Sequence, residues 1–229
     1  MNERYSRQTM LPEIGEAGQE RLRQARVLIV GVGGLGSPVA LYLTAAGVGC
    51  LGLVDDDVVS LSNLQRQGLY TEAEVGAPKV ECARRRLSEL NSTTRIETYP
   101  TRFTPENAAE LVANYDLVVD GCDNAATRYL IDEECARQGK PYVYGSIAAF
   151  EGQVSVFNYR GGPRYSDLYP RPAVMPVPQP GGVVGSIPGL IGCLQASEAI
   201  KIIAGCGEVL SGKLYWTNLL TLQHQIIEL

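Results

Sequence analysis

A glycine turn, two carboxylates and a set of cations could together handle a nucleotide. Gly31-Val32-Gly33-Gly34-Leu35-Gly36 has the G-x-G-x-x-G spacing. Such glycines allow a tight turn and bring backbone N–H groups close to a phosphate, and a helix N-terminus adds partial positive charge. Asp55 follows Gly31 by 24 residues, near the ~20-residue spacing at which an acid meets ribose hydroxyls. The motif alone suits NAD and ATP equally. The residues downstream discriminate: Arg66 in the run Ser62–Gln67, then Lys79, then Asp123-Asn124. Hydride transfer needs a flat nicotinamide pocket, whereas cations stabilise charge developing on a phosphate. Asp123 can hold Mg²⁺ through carboxylate oxygens. Each residue also has a plainer use: Arg66 and Lys79 as solvated surface, Asp123-Asn124 as a helix N-cap. Their placement at successive strand ends favours one adenine-nucleotide site.

The elements that must position these residues follow from pattern. Residues 15–24 read as a polar helix, and Arg26 to Gly31 as a buried strand ending at glycine. Residues 37–46 read as a helix, 47–54 as a strand, and 60–70 as a polar connection. Helices are expected at 79–90, 105–113 and 124–138, and strands at 95–99, 116–120 and 142–146. Pro105 suits the first turn of its helix. Strand alternating with helix gives an α/β fold with a Rossmann-like, doubly wound, mostly parallel sheet. Then the pattern changes. Residues 152–159 read as a strand of period two, 187–204 as a helix, and 213–217 and 221–229 as closing antiparallel strands. Seven of the thirteen prolines fall in 160–190, a long irregular segment. One domain is expected over 1–229, with a nucleotide-binding half to 147 and a sheet-completing half from 148 that carries loop 160–186.

Composition narrows the chemistry. The 229 residues are 45% apolar and 20% charged, with net charge −5, so the chain can bury a core and has no overall basic field for nucleic acid. There is one histidine, His224, and six cysteines with no C-x-x-C among them. Zinc held by short-spaced cysteine pairs is therefore not expected, and any histidine triad would have to use His224. Residues 1–8 lack an apolar signal region, no stretch reads as a membrane span, and the cysteines read as reduced, so a cytoplasmic location is expected.

These residues resemble the HesA/MoeB/ThiF family, bacterial relatives of ubiquitin-activating enzymes. The resemblance is carried by Arg4-Tyr-Ser-Arg7-Gln8, Gly31–Gly36, Asp55-x-Asp57 and Ser62–Gln67. It continues through Gly76-x-Pro-Lys79-Val80, Asp120-x-x-Asp123-Asn124, Glu151-Gly-Gln-Val154 and Leu194–Lys201. It implies ATP-dependent adenylation of the C-terminal glycine of a small ubiquitin-fold sulfur carrier ending in Gly-Gly, ThiS-like rather than MoaD-like. It implies that Gly31, Gly33, Gly34 and Gly36 cradle the nucleotide, with Asp57 and Asn124 beside it, and that Asp55 binds the ribose. Asn63, Arg66 and Lys79 would contact the triphosphate, Asp123 would hold Mg²⁺, and Arg7 would reach the ATP of the other subunit in a homodimer. Sulfur would come from a separate donor protein. An NAD-type oxidoreductase and a non-catalytic carrier-binding module are the alternatives.

The chain departs from the family at two places. Many relatives hold zinc with two C-x-x-C pairs. Here the first pair is replaced by Arg164 and Asp167, and the second would lie beyond Leu229, so zinc is not expected. An Arg164–Asp167 ion pair is one available substitute, though an exposed pair contributes only ~0–1 kcal/mol. Some relatives carry a cysteine just before the segment matching Gly181–Gly185, where this chain has Pro176-Val-Pro-Gln-Pro180. Adenylation without a thioester at that position is expected. Cys193 and Cys206 read as buried apolar residues, and loop 160–186 as the lid facing the carrier.

Overall fold

The computed structural model describes residues 3–172 and 181–229. A 3₁₀ turn at Glu3–Tyr5 leads into helices α1 (Ser6–Thr9) and α2 (Gly15–Gln24). Next come β1 (Arg26–Val30), α3 (Gly36–Ala46) and β2 (Cys50–Val54). The polar connection holds two 3₁₀ turns, Leu61–Asn63 and Glu72–Glu74, before α4 (Lys79–Leu90). Then follow β3 (Arg95–Tyr99), α5 (Pro105–Ala113), β4 (Leu117–Asp120), α6 (Ala125–Gln138) and β5 (Tyr142–Ala148). The second half contains β6 (Glu151–Phe157), α7 (Tyr165–Leu168), α8 (Ser186–Ala204), β7 (Lys213–Asn218) and β8 (Gln223–Glu228).

The eight strands form one sheet in the order β3-β2-β1-β4-β5-β6-β7-β8. Strands β1 to β5 run parallel, and β6, β7 and β8 add antiparallel. The expected architecture is therefore present, mixed sheet included. Chain order reverses between β1 and β4, and the C-terminal strand ends beside such a switch point are where open α/β sheets bind ligands.

Alternation along the strands builds a core on each face. Val27 and Ile29 of β1 join Leu51, Leu53, Leu117 and Val119 on the side of α2, α3, α4 and α8. Leu28, Val30, Cys50, Val54 and Val118 face the opposite core, under α5 and α6. Burial on both faces explains why these strands read as continuous apolar runs. At the far edge of the sheet β8 is exposed throughout. His224 lies on that exposed strand with its ring stacked on Tyr215 at 6.5 Å, as an ordinary strand residue.

Three sequence expectations change. Helix α8 is long and apolar enough to pass for a membrane span by length and composition, yet half of it is buried in the fold against α3 and β5. The irregular segment after β6 contains α7. Its Tyr165 is buried and its backbone N–H donates to Asp132 Oδ1 at 2.9 Å. The Arg164–Asp167 ion pair that the sequence offers does not form. The Arg164 guanidinium reaches the buried Asp132 at 3.0 Å, and Asp167 instead accepts the Arg164 backbone N–H at 2.8 Å. A carboxylate already buried by α6 offers a drier partner than an exposed one three residues away. Residues 173–180, including Pro176–Pro180 of the expected lid, lie outside the described residues.

Candidate active site

A cavity of about 820 Å³ opens over the C-terminal ends of β1, β2, β4 and β5. Its floor is the glycine turn. Gly31 has φ +88°, and its N–H donates to Val54 O at 2.8 Å, which ties the turn to β2. A Cβ on Gly36 would come within 2.0 Å of Gly31 O, and one on Gly121 within 2.1 Å of the same atom. Those two glycines are required by backbone crossing. At Gly33 a Cβ would meet only Gln67 Nε2, at 3.4 Å. The space there lies open to the cleft. Among the described residues, the N–H groups of Gly33 and Gly34 donate to no protein acceptor, and α3 starts at Gly36 with no side-chain cap. Free N–H groups at a helix start attract anions.

One wall is acidic. Asp55 accepts N–H groups from Val32 at 2.8 Å and Asp57 at 2.9 Å, so it braces the turn while keeping further lone pairs for a hydroxyl donor. Burial raises its carboxyl above the ordinary value, with those two N–H donors opposing the shift. Asp57 pairs with Lys79 Nζ at 2.9 Å, and Arg102 pairs with Asp56 at 2.8 Å. The Lys79 side chain is only 5% exposed against 65% for Asp57, so its ammonium is fixed at the start of α4. Carboxylate oxygens of Asp55, Asp56 and Asp57 lie within 4.8 Å of one another.

Most other expected residues also line the cleft: Asn63, Arg66, Asp123 and Asn124. Asn63 Oδ1 accepts the Ser60 N–H at 3.2 Å, and Arg66 donates to Ser62 O at 3.0 Å. Asn124 is the α6 N-cap, accepting the Thr127 N–H at 2.9 Å. Asp123 is exposed, and its only neighbouring donor among the described residues is the Asn124 amide at 3.4 Å. It is the least committed carboxylate in the cleft. An oxygen-only donor set with one uncommitted carboxylate fits a hard divalent cation such as Mg²⁺. Arg7 is exposed on α1 and does not line this cleft.

Sequence reasoning missed two residues. Arg128 lies on the cleft wall with its side chain 14% exposed, 3.1 Å from Asp120, which is fully buried. Burial disfavours its charge, but Asp120 outweighs that and keeps its pKa well above the ordinary value. The second, Gln67, ends the Ser62–Gln67 motif and lines the cleft while buried. The spacing of Arg128 after the α6 N-cap, one helical turn on, was the available signal. The six cysteines are free. Cys193 and Cys206 are half-buried rather than buried, and burial pushes the Cys193 thiol up, which disfavours the thiolate.

Residues 5–229 match the model of the ThiF family. The chain belongs to the ThiF family. It is 48% identical over 220 residues to the sulfur carrier protein adenylyltransferase of Thermus thermophilus, covering 93% of this chain and 81% of that protein. It is 45% identical over 226 residues to the probable molybdopterin-synthase adenylyltransferase of Porphyra purpurea, covering 97% of this chain and 59% of that one. Against the adenylyltransferase and sulfurtransferase MOCS3 of Mus musculus, it spans 46% of that protein's length. Many of these relatives are thus about twice as long. Among solved structures, PaaA superposes with TM-score 0.85 at 26% identity, covering 99% of this chain and 72% of that one. Escherichia coli MccB, solved with ATP, superposes with TM-score 0.84 at 22% identity, covering 100% and 72%; it supports the fold. Membership of the ThiF family separates the chain from NAD-type oxidoreductases, which share only the glycine turn and its acid.

Proposed function

We propose that this ThiF-family chain uses ATP to adenylate the C-terminal carboxylate of a small ubiquitin-fold sulfur carrier, ThiS-like in preference to MoaD-like. The observation that carries the reading is the single cleft in which the open Gly33 turn, the fixed Lys79 ammonium, Arg66 and the uncommitted Asp123 face one another.

The chemistry suits these groups. The nucleophile is a carboxylate, already ionised at neutral pH. Its oxygen bonds to the α-phosphorus as the bond to the bridging oxygen of the β-phosphate breaks. Pyrophosphate leaves with that electron pair, and no proton moves. Catalysis then rests on positioning and charge neutralisation, so the absence of histidine from the cleft costs nothing. Asp55 orients the ribose, while the turn N–H groups, Lys79 and Arg66 hold the triphosphate. Asp123 would hold Mg²⁺, which screens phosphate charge when bound. Arg7, being outside its own cleft, fits a homodimer in which each subunit completes the other's site. Six free cysteines fit a reducing cytoplasm, with sulfur delivered by a separate protein.

The test is carrier-dependent exchange of labelled pyrophosphate into ATP. Exchange is expected only when a carrier ending in Gly-Gly is present. Carrier binding without exchange would favour the non-catalytic module, and absence of both would sink the reading.

A further inference from the structure

Gln67 is 4% exposed and lines the cleft, yet its side chain makes no hydrogen bond among the described residues. Its Oε1 is buried without a partner among the described residues. Its backbone, by contrast, is held firmly: the N–H donates to Asn63 O at 3.0 Å and the carbonyl accepts the Tyr70 N–H at 3.1 Å. The backbone therefore fixes the Gln67 Cα at the edge of the cleft. Its Nε2 lies 3.4 Å from the place a Cβ would occupy on Gly33, at the open part of the turn. Buried amides are almost always paired, and one left unpaired costs free energy. An isosteric apolar side chain would pack there without that cost. What serves a ligand here is the other end of the amide: Nε2, a donor with no acceptor among the described residues, lies beside two free backbone N–H groups and is placed for an acceptor that arrives with the ligand.

We infer that Gln67 is a phosphate-binding residue, donating its amide N–H to a phosphoryl oxygen of a nucleoside triphosphate seated on the glycine turn. This rests on the nucleotide reading above and adds a neutral donor to its cations. A carboxamide brings directional hydrogen bonding without a further charge, which suits a wall where Lys79 and Arg66 already supply positive charge.

The inference predicts opposite effects on stability and binding. Gln67→Met removes the unpaired amide, so the ligand-free midpoint of thermal unfolding should rise by roughly 2–6 °C. The same change should weaken Mg-ATP binding by roughly tenfold to a hundredfold, the range for a hydrogen bond to a charged group. Adenosine, which has no phosphate, should bind Gln67→Met and the unchanged protein alike. Gln67→Glu should weaken Mg-ATP more than Gln67→Met, by placing a carboxylate against phosphate. Calorimetric titration and thermal melts of the full chain read all four. Equal Mg-ATP affinity in Gln67→Met and the unchanged protein would overturn the inference, and so would an equal loss for adenosine. Failure of the unchanged protein itself to take up Mg-ATP would overturn the nucleotide reading, and this inference with it.

Discussion

The Asp120 carboxylate and the Arg128 guanidinium meet at 3.1 Å beneath the nucleotide cleft, with Asp120 fully buried. Asp120 also accepts the Tyr142 hydroxyl at 3.0 Å and the Cys122 N–H at 2.9 Å. Arg128 in turn donates to Cys122 O at 3.1 Å and Gly145 O at 3.3 Å, and stacks 5.5 Å from the Tyr144 ring centroid. One pair thus joins the ends of β4 and β5 to α6 and fixes the backbone one residue before Asp123.

Removing one partner leaves the other charged, buried and unpaired. Arg128→Met is therefore expected to cost about 3–5 kcal/mol of stability, read as a lower urea midpoint. Adding Asp120→Asn should recover part of that loss, so the double variant should be more stable than the sum of the single costs. Strict additivity of the two costs would show that the pair does not act as a unit.

The glycines make a second, sharper contrast. Gly121→Ala and Gly36→Ala drive a Cβ to about 2 Å from Gly31 O, where only backbone can yield. Both should unfold the chain or lower its melting point severely. Gly33→Ala meets only the end of the Gln67 side chain, at 3.4 Å, and should melt within a few degrees of the unchanged protein while losing Mg-ATP binding. A Gly33→Ala chain that keeps full affinity would show that the phosphates do not approach that turn.

This contrast marks how far the sequence could be read. The glycine spacing and the apolar runs are local, so the turn, the parallel strands and Asp55, Lys79 and Asp123 could be placed from periodicity and spacing. Whether a glycine serves packing or ligand could not, because Gly31 meets Gly121 across 90 residues of chain. The same limit applies to α7, whose four residues lie in a proline-rich run and are held by Asp132 on another helix. Arg128 and Gln67 looked like ordinary polar residues because what distinguishes them is burial. The sequence offers Arg164 its neighbour Asp167, whereas the fold supplies a buried carboxylate 32 residues upstream.

Glu97 sets an acid limit on stability. Burial works against its charge, but the Tyr115 hydroxyl at 2.6 Å, with Arg26 at 3.1 Å and Arg95 at 2.6 Å, holds its carboxyl below the ordinary value of 4.5. A carboxyl lowered in the folded state contributes stability that is fully present above its ordinary pKa. That stability is lost as pH falls through the lowered value. Glu97→Gln should thus be less stable than the unchanged protein at pH 7, and the gap should shrink as pH drops below about 4.5. Denaturation midpoints at several pH values measure the gap, and one that stays constant down to the acid transition would remove Glu97 from the account.

Asp123 and Arg7 supply a test of the proposed homodimer. Asp123 is exposed and, among the described residues, makes only one long contact, so Asp123→Ala should abolish pyrophosphate exchange while leaving the melting point nearly unchanged. Arg7 is exposed and outside its own cleft, so Arg7→Ala should also lose exchange if it completes the partner subunit's site. The two defects then lie in different halves of each composite site. A subunit with Arg7→Ala retains its own Asp123 and can borrow the intact arginine of an Asp123→Ala subunit. Mixing equal amounts of the two inactive variants under conditions of subunit exchange should restore about a quarter of the unchanged activity, because half the random dimers hold one complete site of two. No restoration despite verified exchange would place Arg7 outside the reaction in trans, whereas an Arg7→Ala chain fully active alone would remove it from the reaction altogether.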